Sequence, residues 1–183
     1  MKNKAYDLAD YSFSSGEQIL VDTNVWLYLF PAPGNSQNNY AQQYSMAFAQ
    51  LVSAKAQPIL DPIILSEYLN RYTRIEWEGK YKALFSTYKD FRNSSDFSAV
   101  ALTAEIFAKK ILNFCMVHSI PANELDLSQI LTDFLAGNID FNDALLVNIC
   151  KKRNLKLMTN DGDFQYGGID VLTTNPKLLR ACP

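Results

Sequence analysis

Along this chain, short apolar runs alternate with longer stretches in which apolar side chains return every three or four positions. The runs at 19–22 (ILVD), 58–60, 116–120, 155–158 and 169–172 are too short for helices and read as buried strands. Helical spacing covers 24–30, where Pro31 and the turn-like Pro33-Gly34-Asn35 stop it. It returns over 37–54 (Tyr40, Tyr44, Phe48, Leu51, Val52), 63–74, 124–136 (ended by Gly137) and 141–153. Residues 75–115 are helical in composition: Trp77, Tyr81, Phe85 and Tyr88 recur at intervals of four, four and three, and 97–115 continue amphipathically. Short apolar strands alternating with helices predict an α/β fold with a mostly parallel sheet. The expected organisation is a polar N-terminal leader (1–18), then a single domain (19–183) carrying a helical insertion around 75–115.

Composition narrows the class. With 48 % hydrophobic and 20 % charged residues the chain can bury a core and is not wholly disordered. A net charge of −2 and a pI near 5.4 require any nucleic acid to be held by a local basic patch, which disfavours an architectural DNA-binder. Cys115, Cys150 and Cys182 are far apart and odd in number, so a reducing compartment is expected. Lys2 and Lys4 are followed by no apolar run, and the best membrane candidate, 19–30, is interrupted by Asp22. A soluble, cytoplasmic protein is the expectation.

Several chemistries lack their residues. The single histidine, His118, lies in an apolar segment and reads as a structural or edge residue, and no serine sits in a G-x-S-x-G elbow. Neither G-x-G-x-x-G nor G-x-x-x-x-G-K occurs, and the Cys and His residues have no zinc-ligand spacing. Carboxylates remain.

Four acids fall at the carboxyl ends of predicted strands or on the helices beside them, where open α/β sheets bind ligands: Asp22, Glu67, Asp143 and Asp161. Each also has a local role to play. Asp22 can cap the next helix, Glu67 can pair with Arg71, Asp143 can follow an Asp140 N-cap, and Asp161-Gly162 can be a turn. Gathered together they would repel, by roughly 4 kcal/mol per pair at 4 Å and an effective dielectric near 20. Such a cluster persists only when some acids are protonated or a cation sits among them. An all-oxygen donor set suits Mg²⁺ or Mn²⁺, which can grip a phosphodiester and activate water.

At this point three segments, ILVDTNVWLYLF (19–30), PIILSEYLNRY (62–72) and DFNDALLVNICKKRNLKLMTNDGDF (140–164), resemble the PIN-domain nucleases, including the VapC-type toxins of toxin–antitoxin pairs. The resemblance runs from about 19 to 173, in the family's order. It implies a three-layer α/β/α sandwich and an acidic quartet, Asp22, Glu67, Asp143 and Asp161, that binds Mg²⁺ or Mn²⁺ and cleaves RNA. By the same resemblance Asp163 is a further metal-site acid, and Thr23, Asn24, Thr159 and Asn160 orient the acids. The chain is longer than a typical VapC-type toxin, through the 75–115 segment and the leader.

An RNA-cleaving site also needs cations. Arg71 and Arg74, on the helix of Glu67, are the foremost candidates; Lys80, Lys82, Lys109-Lys110 and Lys151-Lys152-Arg153 are others, each also readable as a solvated helix face. The Trp77–Tyr88 aromatic stripe reads as a packing face before a base-stacking one. A cognate antitoxin and a homodimer are the partners to expect of a toxin, and no membrane. Two rivals stand: a haloacid-dehalogenase-like phosphatase, which needs an acid where Asn24 stands, and a non-catalytic PIN-like module that binds RNA or protein.

Overall fold

A computed structural model describes residues 1–34, 40–137 and 139–183. Six strands form one sheet: β1 (Lys4–Asp7), β2 (Gln18–Val21), β3 (Gln57–Leu60), β4 (Met116–Val117), β5 (Lys156–Met158) and β6 (Asp170–Thr173). Their order is β1-β6-β5-β2-β3-β4, and every ladder is parallel. In β2, β5 and β6, Ile19, Leu20, Val21, Leu157, Met158, Val171 and Leu172 are wholly buried. That is the continuous apolar pattern of strands covered on both faces.

Helices α1 (Thr23–Leu29), α2 (Ala41–Ser53), α3 (Pro62–Glu76), α4 (Tyr88–Arg92) and α5 (Ser95–Phe114) follow β2 and β3. Helices α6 (Leu127–Leu135) and α7 (Phe141–Arg153) lead back to β5, and α8 (Pro176–Ala181) closes the chain. The first group packs against itself and α6 packs on α7. With the right-handed crossovers that parallel strands adopt, the reversal of direction after β4 puts the two groups on opposite faces of the sheet, the expected α/β/α sandwich.

Several expectations shift. The leader expected over 1–18 is instead part of the sheet: β1 pairs with β6, and β2 begins at Gln18. Asn3, buried, donates to Phe164 O at 3.0 Å and accepts from Ile169 N–H at 3.0 Å. An edge strand pairs on one side only and can stay polar, so no apolar run announced it. The strand expected over 116–120 stops at Val117, because β3 ends at Leu60 and offers its last carbonyl to His118 N–H. The helix expected from 124 starts at Leu127, since Asp126 accepts from Gln129 N–H as its N-cap, after a 3₁₀ turn at Ala122–Glu124. Residues 37–39 and Asn35, assigned above to a helix and a turn, lie outside the described residues.

The 75–115 segment is the end of α3, a π-helical turn (Trp77–Tyr81), then α4 and α5. Tyr81, Phe85, Tyr88 and Phe97 surround the fully buried Phe91, the first stacked on it with ring centroids 4.7 Å apart. The aromatic stripe is therefore a packing face. Gly79 has a specific reason to be glycine: a Cβ there would come within 2.7 Å of the Gly34 carbonyl oxygen. No helix among the described residues is long and apolar enough to cross a membrane.

Candidate active site

From β2 the chain steps outward to β3 and β4, then returns to lay β5 on the other side of β2. The carboxyl ends of β2 and β5 thus flank the point where strand order reverses, which in open α/β sheets is a ligand-binding crevice. Asp22 immediately follows β2, and Thr159, Asn160 and Asp161 follow β5. Glu67 comes from α3, after β3, and Asp143 from the first turn of α7.

Asp22 is held most firmly. It is 5 % exposed. Its Oδ1 accepts the Thr23 N–H at 2.6 Å, and its Oδ2 accepts from Asn24 Nδ2 at 2.5 Å and Thr159 Oγ1 at 2.6 Å. Burial raises its pKa to about 6; the Thr159 and Thr23 hydrogen bonds oppose that shift, while the charges of Glu67 and Asp161 add to it. Asp143 is raised further, to about 8, by burial and then by the charges of Asp140, Asp22, Asp161 and Glu67. The charges of Glu67 and Asp161 act on Asp22, and those of Asp140, Asp22, Asp161 and Glu67 on Asp143, so these acids lie within electrostatic reach of one another.

The local roles are equally real. Asp22 caps α1, Glu67 pairs with Arg71 at 3.3 Å, and Asp161 Oδ1 accepts the Asp163 N–H at 3.0 Å within its turn. Asp140 caps α7 by accepting the Asp143 N–H at 2.8 Å, and it also adds charge to the cleft. Each of these contacts serves the residue's own element.

The supporting residues divide. Asn24 and Thr159 bind Asp22 directly, whereas Thr23 does so through its backbone, its hydroxyl turning to Ile64 O at 3.4 Å. Asn160 is one step removed: its N–H donates to Asn24 Oδ1 and its Nδ2 to Tyr28 OH. Asp163 stands at the rim, 67 % exposed, with Oδ1 on Lys177 Nζ at 2.9 Å. Of the two arginines, Arg71 reaches the cleft through Glu67, and its charge acts on Tyr28. Arg74 does not: its guanidinium lies 4.4 Å from the Tyr88 ring centroid.

Sequence reasoning missed Tyr44, Asn175 and Lys177. Tyr44, buried in α2, bonds Thr159 O at 2.9 Å, reaches Asn160 Oδ1 at 3.2 Å and accepts from Thr174 N–H. Asn175 Nδ2 grips Asn160 O at 2.6 Å. Tyr44 reads in sequence as an apolar helix position, and Asn175-Pro176 as a helix start, so neither carried a chemical signal.

The side chains that bond or charge Asp22 are carboxylates, hydroxyls and amides, a set suited to a hard divalent cation. Among the described residues no three acidic, histidine or cysteine side chains converge as a formed metal cage. The charges of Asp140, Asp22, Asp161 and Glu67 add to the effect of burial on Asp143. A cation would relieve the repulsion that raises Asp143, and Asp22 Oδ1, with one protein donor, keeps a lone pair to offer it.

The sequence profile described as the PIN domain matches residues 19–168. Among solved structures, the fold is similar to VapBC2 from Rickettsia felis, in a crystal structure bound to a DNA fragment from the promoter. Identity is 16 %, coverage 85 % of this chain and 98 % of that one, and the TM-score 0.54. PAE2754 from Pyrobaculum aerophilum is similar at 16 % identity, with 92 % and 98 % coverage and a TM-score of 0.48. No curated protein matches the sequence.

Proposed function

The chain belongs to the PIN domain family, and we propose that it is a divalent-metal-dependent endonuclease that hydrolyses RNA phosphodiester bonds, acting as the toxin of a toxin–antitoxin pair. One observation carries the reading: Asp143, its pKa raised by burial, also lies within reach of the charges of Asp140, Asp22, Asp161 and Glu67. An anionic substrate cannot approach those acids unless their charge is compensated. Asp22, Glu67, Asp143 and Asp161 would hold Mg²⁺ or Mn²⁺. Bound there, the ion would supply charge for a phosphate oxygen and an activated water.

The chain's own residues fix the geometry of that chemistry. Thr159, Asn24 and the Thr23 N–H lock the orientation of Asp22, so a reacting phosphate would meet a rigid carboxylate. Asp143 at the start of α7 sits where the helix dipole favours its anionic form, which opposes part of the effect of burial. Arg71, exposed and paired with Glu67 by a single contact, is placed to contact a substrate phosphate. The Thr159 and Thr23 hydroxyls donate their protons to Asp22 Oδ2 and Ile64 O, so direct attack by water is the simplest course. Asn24 argues against a phosphatase of the haloacid dehalogenase type, because a carboxamide cannot serve as a general acid and its amide is spent on Asp22, Thr159 and Asn160.

The test is cleavage of total cellular RNA by purified protein with Mg²⁺ or Mn²⁺, against EDTA and Asp22→Asn. Discrete fragments that need metal and Asp22 support the reading. An inert protein that still binds RNA would favour the non-catalytic module.

A further inference from the structure

Most basic side chains of this protein are committed away from the acids. Arg74 lies on Tyr88, Lys80 on Glu76, Lys82 by Trp77, Lys109 on Glu105, Lys110 by Phe107 and Arg153 near Glu124. Lys151 and Lys152 stand at the far end of α7, roughly 12 Å along the axis from Asp143. Lys177 is different. It follows β6 in the first turn of α8, at the same edge of the sheet as the acids.

Its placement is built. Asn175, which grips Asn160 O, also caps α8 by accepting the Lys177 N–H at 2.9 Å. The Lys177 stem crosses Gly162, the residue after Asp161, so closely that a Cβ there would lie 2.7 Å from its Cδ. A side chain at 162 would have to displace the Lys177 stem from this path. The ammonium then rests on Asp163 at 2.9 Å, in a pair whose members are both more than half exposed. That pair uses one of three ammonium donors, and exposed pairs of this kind are weak, so it exchanges readily.

Across the carboxyl edge of the sheet the order is β6 with Lys177, β5 with Asp161, β2 with Asp22, then β3 leading to Glu67 and Arg71. Three strand spacings separate the outer two, roughly 14 Å. We propose that Lys177, seated on Gly162, is a phosphate-binding residue of the cleft, gripping the backbone of a single-stranded RNA on the rim opposite Arg71. The two cations lie on either side of the acids, so a strand held by both crosses the centre with its phosphates gripped upstream and downstream of the reacting one. The inference rests on the RNA-cleaving reading and adds the path of the strand.

The test is binding of a 5′-labelled, mixed-sequence single-stranded RNA 12-mer by the full chain carrying Asp22→Asn, with Mg²⁺, over a range of salt. Lys177→Ala is expected to weaken binding several-fold and to lower the slope of log Kd against log salt by about 0.7, the increment for one phosphate contact on a single strand. Lys177→Arg should keep the slope. Gly162→Ala, which retains the charge but pushes the stem off its seat, should lose part of the affinity. An unchanged slope in Lys177→Ala, alongside a lowered one in Arg71→Ala, overturns the assignment of Lys177 alone. A parent protein that does not bind the oligonucleotide overturns it together with the RNA reading.

Discussion

Thr159 Oγ1 donates to Asp22 Oδ2 at 2.6 Å, joining the end of β5 to the end of β2 through one buried hydroxyl. The same oxygen accepts from the Asp161 N–H and from Asn24 Nδ2, both at 3.0 Å. A hydroxyl has one proton and two lone pairs, so all its capacity is used. Thr159→Val is expected to cost about 1–3 kcal/mol of stability by leaving a buried carboxylate short of a donor. It should also lower RNA cleavage about tenfold or more, with Thr159→Ser recovering most of both. Chemical denaturation and kcat/KM, measured on the same preparations, check the pair.

Asp143→Asn should abolish cleavage and yet raise the melting temperature of the metal-free protein near pH 8. The amide is neutral and removes the repulsion from Asp140, Asp22, Asp161 and Glu67. A variant that loses both activity and stability would show that Asp143 holds the fold rather than the chemistry.

The pH dependence has a definite sign. Asp143 has its pKa raised in the fold to about 8 and Asp22 to about 6, both from 3.8. Below pH 4 both states hold these protons and neither residue affects stability. Between pH 4 and 8 the unfolded chain releases protons that the fold retains, so stability falls as pH rises. In EDTA, the wild-type melting temperature should therefore drop from pH 5 to pH 8 more steeply than that of Asp143→Asn.

Mn²⁺ added at pH 8 should restore what the acids lose. An ion at 100 times its Kd contributes about 2.7 kcal/mol, several degrees of melting temperature for a chain of this size. The gain should shrink at pH 5.5, where Asp143 carries its proton, and be lost in Asp22→Asn. Equal stabilisation of wild type and Asp22→Asn would place the ion elsewhere.

Phe91→Ala should cost about 3–5 kcal/mol, because the ring is fully buried among Tyr81, Phe85, Tyr88 and Phe97. Tyr81→Ala should destabilise as well, while leaving the RNA affinity of the folded fraction unchanged. Loss of affinity without loss of stability would return the aromatic stripe to a base-stacking role.

The sequence by itself determined the parts whose causes are local. Apolar runs with no polar alternation marked β2, β5 and β6 as buried strands, and periodicity placed α7 at 141–153, as observed. Asp22, Asp143 and Asp161 stand out in the sequence because an acid after a strand or in a first helical turn contrasts with its apolar neighbours. Other features were decided by tertiary structure. β1 is polar and exists because β6 offers it a free edge. The resemblance makes Asp163 a further metal-site acid, whereas its pairing with Lys177, which α8 places, came from the tertiary structure. Arg71 and Arg74 are equivalent in sequence, and only the packing of α4 draws Arg74 onto Tyr88. The same holds for the charge on Asp143: its neighbours lie up to 121 residues away, at Asp22, and a repulsion between such groups arises only when the sheet brings strand ends together. Periodicity reports what one element buries, whereas the shared cleft depends on how several elements meet.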